Sequence, residues 1–152
     1  MVIPPNTNDE HLIFGLLFLL SNKLQTIGDS MFKEITTKQW FITMVLNILA
    51  DREPTLNELS EAAGTSRQNV KQLILKLEKK GFVDLRRDEQ DSRKFRIRLT
   101  PACFEFYQTT SDKSKEFMER LFSSLEPGEL KTTSVALLKL VSNLEEMEKD
   151  YV

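Results

Sequence analysis

The sequence has 152 residues, of which 40% are hydrophobic and 29% are charged; these values predict one soluble, globular domain and exclude wholesale disorder. A single cysteine, Cys103, excludes a disulfide framework and a cysteine-based metal centre, so we expect a cytoplasmic protein without metal or cofactor. The net charge of −2 argues against general affinity for nucleic acids, although the charges are unevenly distributed along the chain.

The N-terminal third predicts a loose end over residues 1–8 and then two helices. Residues 9–32 carry hydrophobic side chains at spacings of three and four, and Leu12–Leu20 is apolar almost all round. This run is too short for a membrane span, which needs about 20 residues, so we expect a buried helix and no membrane association. Thr36 and Gln39 match a capping box that opens a second, mainly apolar helix ending near Ala50.

Two further helices follow with the spacing of a helix-turn-helix. Thr55 and Glu58 match a capping box for the first helix, and Gly64 permits the left-handed turn between the two. Thr65 or Ser66 caps the second helix, which should end near Gly81. The buried face of the second helix is predicted to consist of Val70, Leu73, Ile74 and Leu77.

The opposite face of this second helix is rich in side chains suited to DNA. Arginine and lysine fit guanine edges, glutamine and asparagine fit adenine edges, and lysine fits phosphates. We therefore predict that residues 66–72 read bases in a major groove and that the later lysines contact phosphate, a solvated helix face being the alternative. The predicted DNA-binding residues on this helix are Thr65, Ser66, Arg67, Gln68, Asn69, Lys71, Gln72, Lys76 and Lys79. Leu75 lies in the middle of this polar face and would either touch a thymine methyl group or pack under the following hairpin.

A basic β-hairpin comes next. Residues 82–87 and 95–99 predict two strands, joined by a loop over residues 88–94. Arg93 is placed to enter the minor groove, and Asp91 is predicted to orient Arg93, or another nearby arginine, through a charge-assisted hydrogen bond. The other predicted DNA contacts of the hairpin are Arg86, Arg87 and Lys94.

The charge distribution agrees with a DNA-binding segment. Residues 64–98 contain 11 Lys and Arg and 5 Asp and Glu, a charge of +6, and the rest contains 10 and 18, a charge of −8, which together give −2. A basic block in an acidic chain is typical of a nucleic-acid site. We therefore predict that the chain binds double-stranded DNA.

Two long helices are predicted to end the chain. Thr100 and Pro101 open the first, which should reach about Ser124. The last helix covers residues 127–149, and its apolar stripe contains Leu130, Leu137, Val141 and Leu144. The predicted fold class is therefore mainly α with a small β-hairpin wing (α+β).

These motifs resemble the MarR family of bacterial transcription regulators, and the likeness covers nearly the whole chain. The motifs are Ile35–Trp40, Thr55–Leu59, Leu77–Val83 and the loop of the wing hairpin, Asp88–Lys94, followed by Leu99–Thr100. The resemblance implies a winged helix-turn-helix over residues 35–100. It also implies an obligate homodimer whose helical dimerisation region consists of residues 1–34 and 101–152.

The resemblance further implies a repressor that binds a pseudo-palindromic operator and is released by a small aromatic or anionic effector. Candidates to line an effector crevice are Phe14, Phe18, Trp40 and Met44, ordinary core packing being the alternative. Two positions depart from the family: Leu75 is more often basic there, and Cys103 stands where glycine is usual. The apolar neighbours of Cys103 indicate an inert, partly buried thiol instead of a redox sensor.

Two other classes of function are alternatives to DNA binding. A winged helix can bind protein instead of DNA, although a protein-binding face would be expected to carry aromatic anchors. An enzyme is disfavoured, because the sequence has no readable Ser-His-Asp or Cys-His set, no glycine-rich phosphate loop and no metal-spaced Cys or His. We predict no catalytic residue and no metal ligand.

Overall fold

The computed structural model describes residues 8–91 and 93–150, so the predicted loose end falls almost wholly outside the described residues. The predicted order of helices and strands is confirmed. The elements are α1 (Asp9–Met31), α2 (Thr37–Ile48), a short 3₁₀ helix (Ala50–Arg52), α3 (Leu56–Ala62), α4 (Arg67–Lys79), β1 (Val83–Arg87), β2 (Phe95–Leu99), α5 (Pro101–Phe122) and α6 (Pro127–Lys149). The chain forms two compact units, Met1–Thr109 and Thr110–Val152.

Local hydrogen bonds explain why the central helices begin where they do. Both predicted capping boxes are present, Thr36 with Gln39 at α2 and Thr55 with Glu58 at α3. The Ser66 hydroxyl accepts a hydrogen bond from the Asn69 N–H and so caps α4. Each such cap stabilises its helix by about 1 kcal/mol, so these starts are determined by residues close in sequence.

The hydrophobic core of the first unit is built from α2, α3, α4, the hairpin and the start of α5. The predicted buried face of α4 is confirmed, with Val70, Ile74 and Leu77 almost fully buried and Leu73 packed against them. The remaining buried hydrophobic residues of this core are Phe32, Ile35, Ile42, Val45, Leu46, Leu59, Val83, Ile97 and Phe106. One face of α4 is therefore fixed in the core, and the opposite face is directed outwards.

The two strands form an antiparallel hairpin in which Val83 pairs with Leu99 and Leu85 pairs with Ile97. The Ile97 N–H also donates to the Pro54 carbonyl at 3.0 Å, and an isolated bridge joins Thr55 to Arg96. The hairpin, which we call the wing, is thus attached along the segment that leads into α3.

The prediction that Leu12–Leu20 is buried is wrong for the single chain. The side chain of Phe14 is 64% exposed, those of Ile13, Leu17 and Phe18 are exposed too, and only Gly28 is buried in α1. The reason is that α1 approaches α2 closely near its C-terminal end, where a Cβ on Gly28 would lie 2.3 Å from Thr37 Oγ1. The N-terminal turns of α1 have no such neighbour to cover them.

The second unit holds the end of α5 and the whole of α6. The predicted stripe on α6 is present, but it is not covered: Leu130 is half-buried, Leu137, Val141 and Leu144 are exposed, and Leu138 is 68% exposed. No residue of α6 is buried. Amphipathic spacing therefore gives this helix an apolar face that the chain itself leaves open to solvent.

Over residues 8–91 and 93–150, none of the helices combines the length and apolar character needed to cross a membrane.

Candidate nucleic-acid interface

The turn between α3 and α4 sets the direction of the outward face of α4. Gly64 has a left-handed backbone, with φ of +59°, as its position in the sequence predicted. The Thr65 N–H donates to the Ser60 carbonyl at 3.1 Å, and the small Ser60 side chain is buried where the two helices meet. The turn is therefore closed by a backbone hydrogen bond, and it places α4 as the second helix of a helix-turn-helix.

The outward face of α4 presents the polar side chains that the sequence predicted. The exposed ones are Arg67, Gln68, Asn69, Lys71, Gln72, Lys76 and Lys79. Among the described residues, none of the four cations in this set forms an ion pair. Leu75 is exposed among them, so it does not pack under the wing in the single chain. This face is free to meet a polyanion.

More side chains at the start of α4 form hydrogen bonds with one another or with the helix backbone than the sequence suggested. The Asn69 amide donates to Thr65 Oγ1 at 3.0 Å, and the Ser66 hydroxyl caps the helix. Thr65, Ser66 and Asn69 therefore hold the helix start together, whereas Gln68 and Gln72 extend from the same face without such bonds to the described residues. The two glutamines are the better candidates for reading bases.

The wing contains more carboxylates in contact with arginine than the sequence analysis recognised. Arg96 Nε donates to Asp88 Oδ2 at 2.5 Å, and its terminal nitrogen contacts Glu58 at 3.4 Å and the Glu53 carbonyl at 3.3 Å. The Asp84 carboxylate is shared between Arg86 and Arg98, at 3.1 and 3.2 Å. These bonds fasten the wing to itself and to α3, so Arg96 and Arg98 serve the wing's structure, and Arg86 is partly engaged as well.

The pKa of Asp88 reflects the hydrogen bonds that attach the wing. The guanidinium of Arg96, followed by the backbone N–H groups of Asp91 and Gln90, lowers the pKa of Asp88 to about 2. Asp88 therefore stays ionised across the physiological range. The contacts of Arg96 could not be predicted from the sequence, because its partners lie 8 to 43 positions away along the chain.

Arg93 extends from the wing into solvent, with a side chain 90% exposed. Its Nε and backbone N–H both donate to Asp91 Oδ1, at 3.2 and 3.1 Å, so the predicted contact between Asp91 and Arg93 is confirmed. The same carboxylate lies 3.7 Å from Lys94 Nζ. The N–H and guanidinium of Arg93 lower the pKa of Asp91. The contact engages the guanidinium through Nε, and the two terminal nitrogens have no partner among the described residues.

The wing and the helix-turn-helix share one surface. A cleft of about 370 Å³ lies between them, with Arg67 at the start of α4 on one side and Arg93 and Lys94 of the wing on the other. Arg87, the remaining predicted contact, lies 5.9 Å above the Phe95 ring. Of the predicted DNA contacts, the structure therefore brings Arg67 of α4 close to Asp91, Arg93 and Lys94 of the wing.

The four residues proposed for an effector crevice have different environments. Phe14 and Phe18 are exposed and contact each other edge to face at 5.1 Å, and Met44 is exposed on α2. Trp40 packs against Phe32 at 5.7 Å and belongs with the core. Core packing therefore explains Trp40 and leaves the other three available.

Cys103 is fully buried, which corrects the expectation of a partly buried thiol. Burial raises its pKa to about 11, because the low-polarity surroundings penalise the thiolate. The thiol is therefore protonated at neutral pH. Across the part of the chain that the structure describes, no three His, Cys, Asp or Glu side chains are grouped so that they could hold a metal ion.

A helix-turn-helix with an attached β-hairpin that presents basic residues on the same surface defines a winged helix-turn-helix protein. Residues 43–94 match the family model described as MarR family. The chain is 26% identical over 145 residues to the transcriptional repressor MprA of Escherichia coli strain K12, covering 94% of this chain and 82% of MprA. The likeness to the MarR family that the sequence motifs predicted is thus present in the family-model match over residues 43–94.

Solved structures show the same fold. A MarR/EmrR family transcriptional regulator from Acinetobacter sp. ADP1 superposes with a TM-score of 0.79 at 23% identity, covering 92% of this chain and 99% of that one. MepR of S. aureus, solved as a MepR–DNA complex, gives a TM-score of 0.75 at 24% identity, covering 90% and 99%. The agreement extends over nearly the whole chain and so includes the helices outside the winged helix.

Proposed function

We propose that the protein is a sequence-specific, double-stranded DNA-binding transcriptional regulator that acts as a homodimer. One observation carries this proposal: α4 has one face fixed in the core, and on the other it presents cations without an ion pair to any described residue and the amides of Gln68 and Gln72, beside the exposed Arg93 of the wing. A major groove is about 12 Å wide and accommodates such a helix, and a narrow minor groove attracts an inserted arginine.

In this proposal the exposed apolar faces on α1 and on α6 are covered by a second copy of the chain. Two recognition helices would then enter successive major grooves about 10 bp apart, which requires a pseudo-palindromic operator. The likeness to the MarR family favours a repressor that a small aromatic or anionic effector releases from DNA, with Phe14, Phe18 and Met44 available to contact that effector. The proposal places the protein in the cytoplasm with the nucleoid and assigns it no catalytic reaction.

A protein-binding winged helix is the weaker alternative. Among the described residues, the outward face of α4 carries no aromatic side chain, and Leu75 is its one large apolar residue. Protein interfaces depend on buried aromatic and arginine anchors at their centre. An outward face dominated by exposed lysine, arginine and glutamine fits DNA better.

The test is a fluorescence-anisotropy titration with DNA from upstream of the protein's own gene, at several salt concentrations around the physiological value. We expect tight binding that weakens with salt, because binding cations displace counterions from the phosphates. Arg93→Ala should weaken binding to every sequence and lower the salt slope by about 0.9 for each wing that contacts DNA. Lys139→Ala, which removes one exposed charge from α6, is the matched control and should leave the slope unchanged.

Two results would count against the proposal in different ways. An unchanged salt slope for Arg93→Ala would remove the wing from the DNA contact while leaving α4 in place. Absence of preferential binding to any upstream fragment would contradict the proposal as a whole. A thermal-shift screen with small aromatic acids tests the effector, since a ligand of the folded state raises the melting temperature.

A further inference from the structure

The side chain of Arg96 contacts both the wing and the start of the helix-turn-helix. On the wing, its Nε donates to Asp88 Oδ2 at 2.5 Å. On the other side, its Nη1 lies 3.4 Å from Glu58 Oε2 and 3.3 Å from the Glu53 carbonyl oxygen. Glu58 Oε2 also accepts the Thr55 N–H at 2.7 Å in the capping box of α3. One arginine therefore links the hairpin to the N-terminus of α3.

The Asp88 carboxylate extends this link into the loop of the wing. Its Oδ2 accepts from Arg96, and its Oδ1 accepts from the backbone N–H groups of Gln90 and Asp91, each at 2.8 Å. The Asp88 N–H also donates to the Lys94 carbonyl at 3.0 Å, which closes the base of the loop. A single carboxylate thus connects Arg96 to the backbone of the loop.

Asp91 completes the connection to Arg93. Its Oδ1 accepts from the N–H and from Nε of Arg93, at 3.1 and 3.2 Å. A series of hydrogen bonds therefore runs from α3 to the exposed arginine of the wing, and we call it the α3–wing path. Its members, in order, are Glu58, Arg96, Asp88, Asp91 and Arg93.

The members of the α3–wing path differ in their exposure to solvent. The side chains of Asp88 and Arg96 are 8% and 32% exposed, whereas that of Arg93 is 90% exposed. Salt screens a largely buried pair of charges much less than an exposed pair. The bond between Asp88 and Arg96 should therefore persist beside the phosphates of DNA, and Arg93 is the more accessible of the two arginines to DNA.

The segment that leads into α3 also contributes to this attachment. Glu53 has a φ of +41°, in the left-handed region that residues with a side chain rarely adopt. Its carbonyl accepts from Arg96, and the carbonyl of the next residue, Pro54, accepts from the Ile97 N–H at 3.0 Å. An unfavourable backbone persists only where surrounding contacts maintain it, and such residues are concentrated at functional sites. The conformation of Glu53 therefore fits a role in holding the wing.

The distance between the wing and α4 matters for binding to two grooves at once. The major groove of B-DNA is about 12 Å wide and the minor groove about 6 Å. A wing tip displaced by a few ångströms would therefore meet the phosphate backbone instead of entering the narrower groove. A tip that is already held in place avoids the entropic cost of ordering it on binding.

We propose that Arg96 and Asp88 are positioning residues that hold Arg93 at a fixed distance from α4, so that the helix and the wing enter adjacent grooves of one operator half-site. Neither residue has to touch DNA to do this. The inference rests on the proposed DNA-binding function and deepens it, since it states what places the wing. Arg98 has no such role, because its partner Asp84 lies within the hairpin.

A double-mutant cycle tests the proposal. Fluorescence anisotropy measures the affinity of wild type, Arg93→Ala, Arg96→Met and the double variant for the upstream fragment that wild type binds most tightly. Arg93→Ala alone should weaken binding about tenfold, as expected for the loss of one charge-assisted hydrogen bond. In the Arg96→Met background the same substitution should weaken binding less than about twofold, because Arg93 is then no longer held at the groove.

Arg98→Met is the matched control on the same strand. It removes the same charge as Arg96→Met and breaks an ion pair with Asp84, but it leaves the α3–wing path intact. Independent substitutions combine to within about twofold in affinity. Arg93→Ala should therefore still weaken binding about tenfold in the Arg98→Met background.

Asp88→Ala separates the effect of position from the effect of charge. It makes the wing more positive, so electrostatics alone would strengthen binding to DNA, whereas loss of the path should weaken binding towards the level of Arg93→Ala. Glu89→Ala removes the same charge from an exposed side chain in the same loop and should bind at least as tightly as wild type. Circular dichroism and thermal unfolding check that each variant is folded. If Arg96→Met does not fold, Asp88→Ala and its control carry the test.

Three results would overturn the proposal or its basis. A full cost of Arg93→Ala in both the Arg96→Met and the Asp88→Ala backgrounds would show that Arg93 binds DNA without being positioned by the path. Equal and additive losses for Arg96→Met and Arg98→Met would show a general effect of charge. Absence of binding by wild type would instead refute the proposed function itself, so the two kinds of failure are distinguishable.

Discussion

The helices α4 and α6 carry apolar residues at the same three- and four-residue spacing, yet these residues are buried in α4 and not in α6. Val70, Ile74 and Leu77 of α4 are buried in the core, whereas no residue of α6 is buried. Periodicity therefore identifies an apolar face but does not say whether its partner lies in the same chain. In α4 the partner is intramolecular, and for α6 we propose a second copy.

The two helices differ in their polar faces as well. On α4 the cations lack ion pairs among the described residues, whereas Lys149 of α6 pairs with Glu146 at 2.6 Å. Exposed pairs of this kind contribute little to stability, typically below about 1 kcal/mol. The two helices therefore expose different groups: α4 exposes cations that could bind an anionic ligand, and α6 exposes apolar side chains that could pack against another protein surface.

The largest expected effect is on the stability contributed by α4, whose apolar face is buried. Leu77→Ala should lower the free energy of unfolding by about 2–5 kcal/mol, because it leaves a cavity in a close-packed core. Urea unfolding measures this loss, which should be the same at every protein concentration. Leu138→Ala on α6 is the matched control and should cost less than about 0.5 kcal/mol in dilute, monomeric protein. An equal loss of unfolding free energy for both variants at high dilution would contradict the proposed difference between α4 and α6.

The next largest expected effect is on self-association through α6, whose apolar face is exposed. Leu144→Glu should weaken self-association by at least about 100-fold, because a buried, unpaired carboxylate costs several kcal/mol and each dimer would contain two. Sedimentation velocity should then show monomer where wild type is a dimer, with helical content unchanged. Lys139→Glu makes a comparable change on the polar side of α6 and should remain dimeric. Monomeric wild type would refute the proposed role of α6.

Substitutions on the outward face of α4 should alter specificity more than stability. Gln68→Ala or Gln72→Ala is expected to relax discrimination at a single base pair by about 1–3 kcal/mol, the usual value of a bidentate contact with adenine. Competition binding against single-base operator variants measures this effect. Lys79→Ala should instead weaken binding to all sequences about equally, as a phosphate contact does. Uniform weakening by both glutamine variants would show that these residues do not read bases.

The smallest expected effect is the pH dependence of the stability that Asp88 of the wing contributes. Folding lowers the pKa of Asp88 from 3.8 to about 2, so its contribution to stability is fully present above pH about 4 and is lost as the pH falls through about 2. Asp88→Asn should remove this dependence, because the amide is not ionised and contacts Arg96 without a charge. Thermal unfolding at a series of acidic pH values compares it with Glu89→Gln in the same loop. Parallel profiles for Asp88→Asn and wild type would contradict the assignment.

Features fixed by neighbouring residues could be predicted from the sequence. The capping boxes, the left-handed Gly64 and the contact between Asp91 and Arg93 each depend on residues within three positions of one another. Contacts between distant segments could not be predicted, because they depend on how the elements pack. Arg96 reaches Glu58 across 38 positions, and Lys80 reaches Gln39 across 41. The exposure of Phe14 was missed for a related reason, since an apolar run does not reveal what covers it.

The burial of Cys103 has a practical consequence for studying this protein. It is the only cysteine in the sequence, and with a pKa of about 11 it exists almost entirely as the unreactive thiol near neutral pH, whereas an exposed cysteine has a pKa near 8.5. A cysteine introduced on the surface would therefore be labelled selectively without removing the native one. Spin labels or fluorophores placed this way on α4 or the wing would report distances between the two halves of a dimer, with and without DNA.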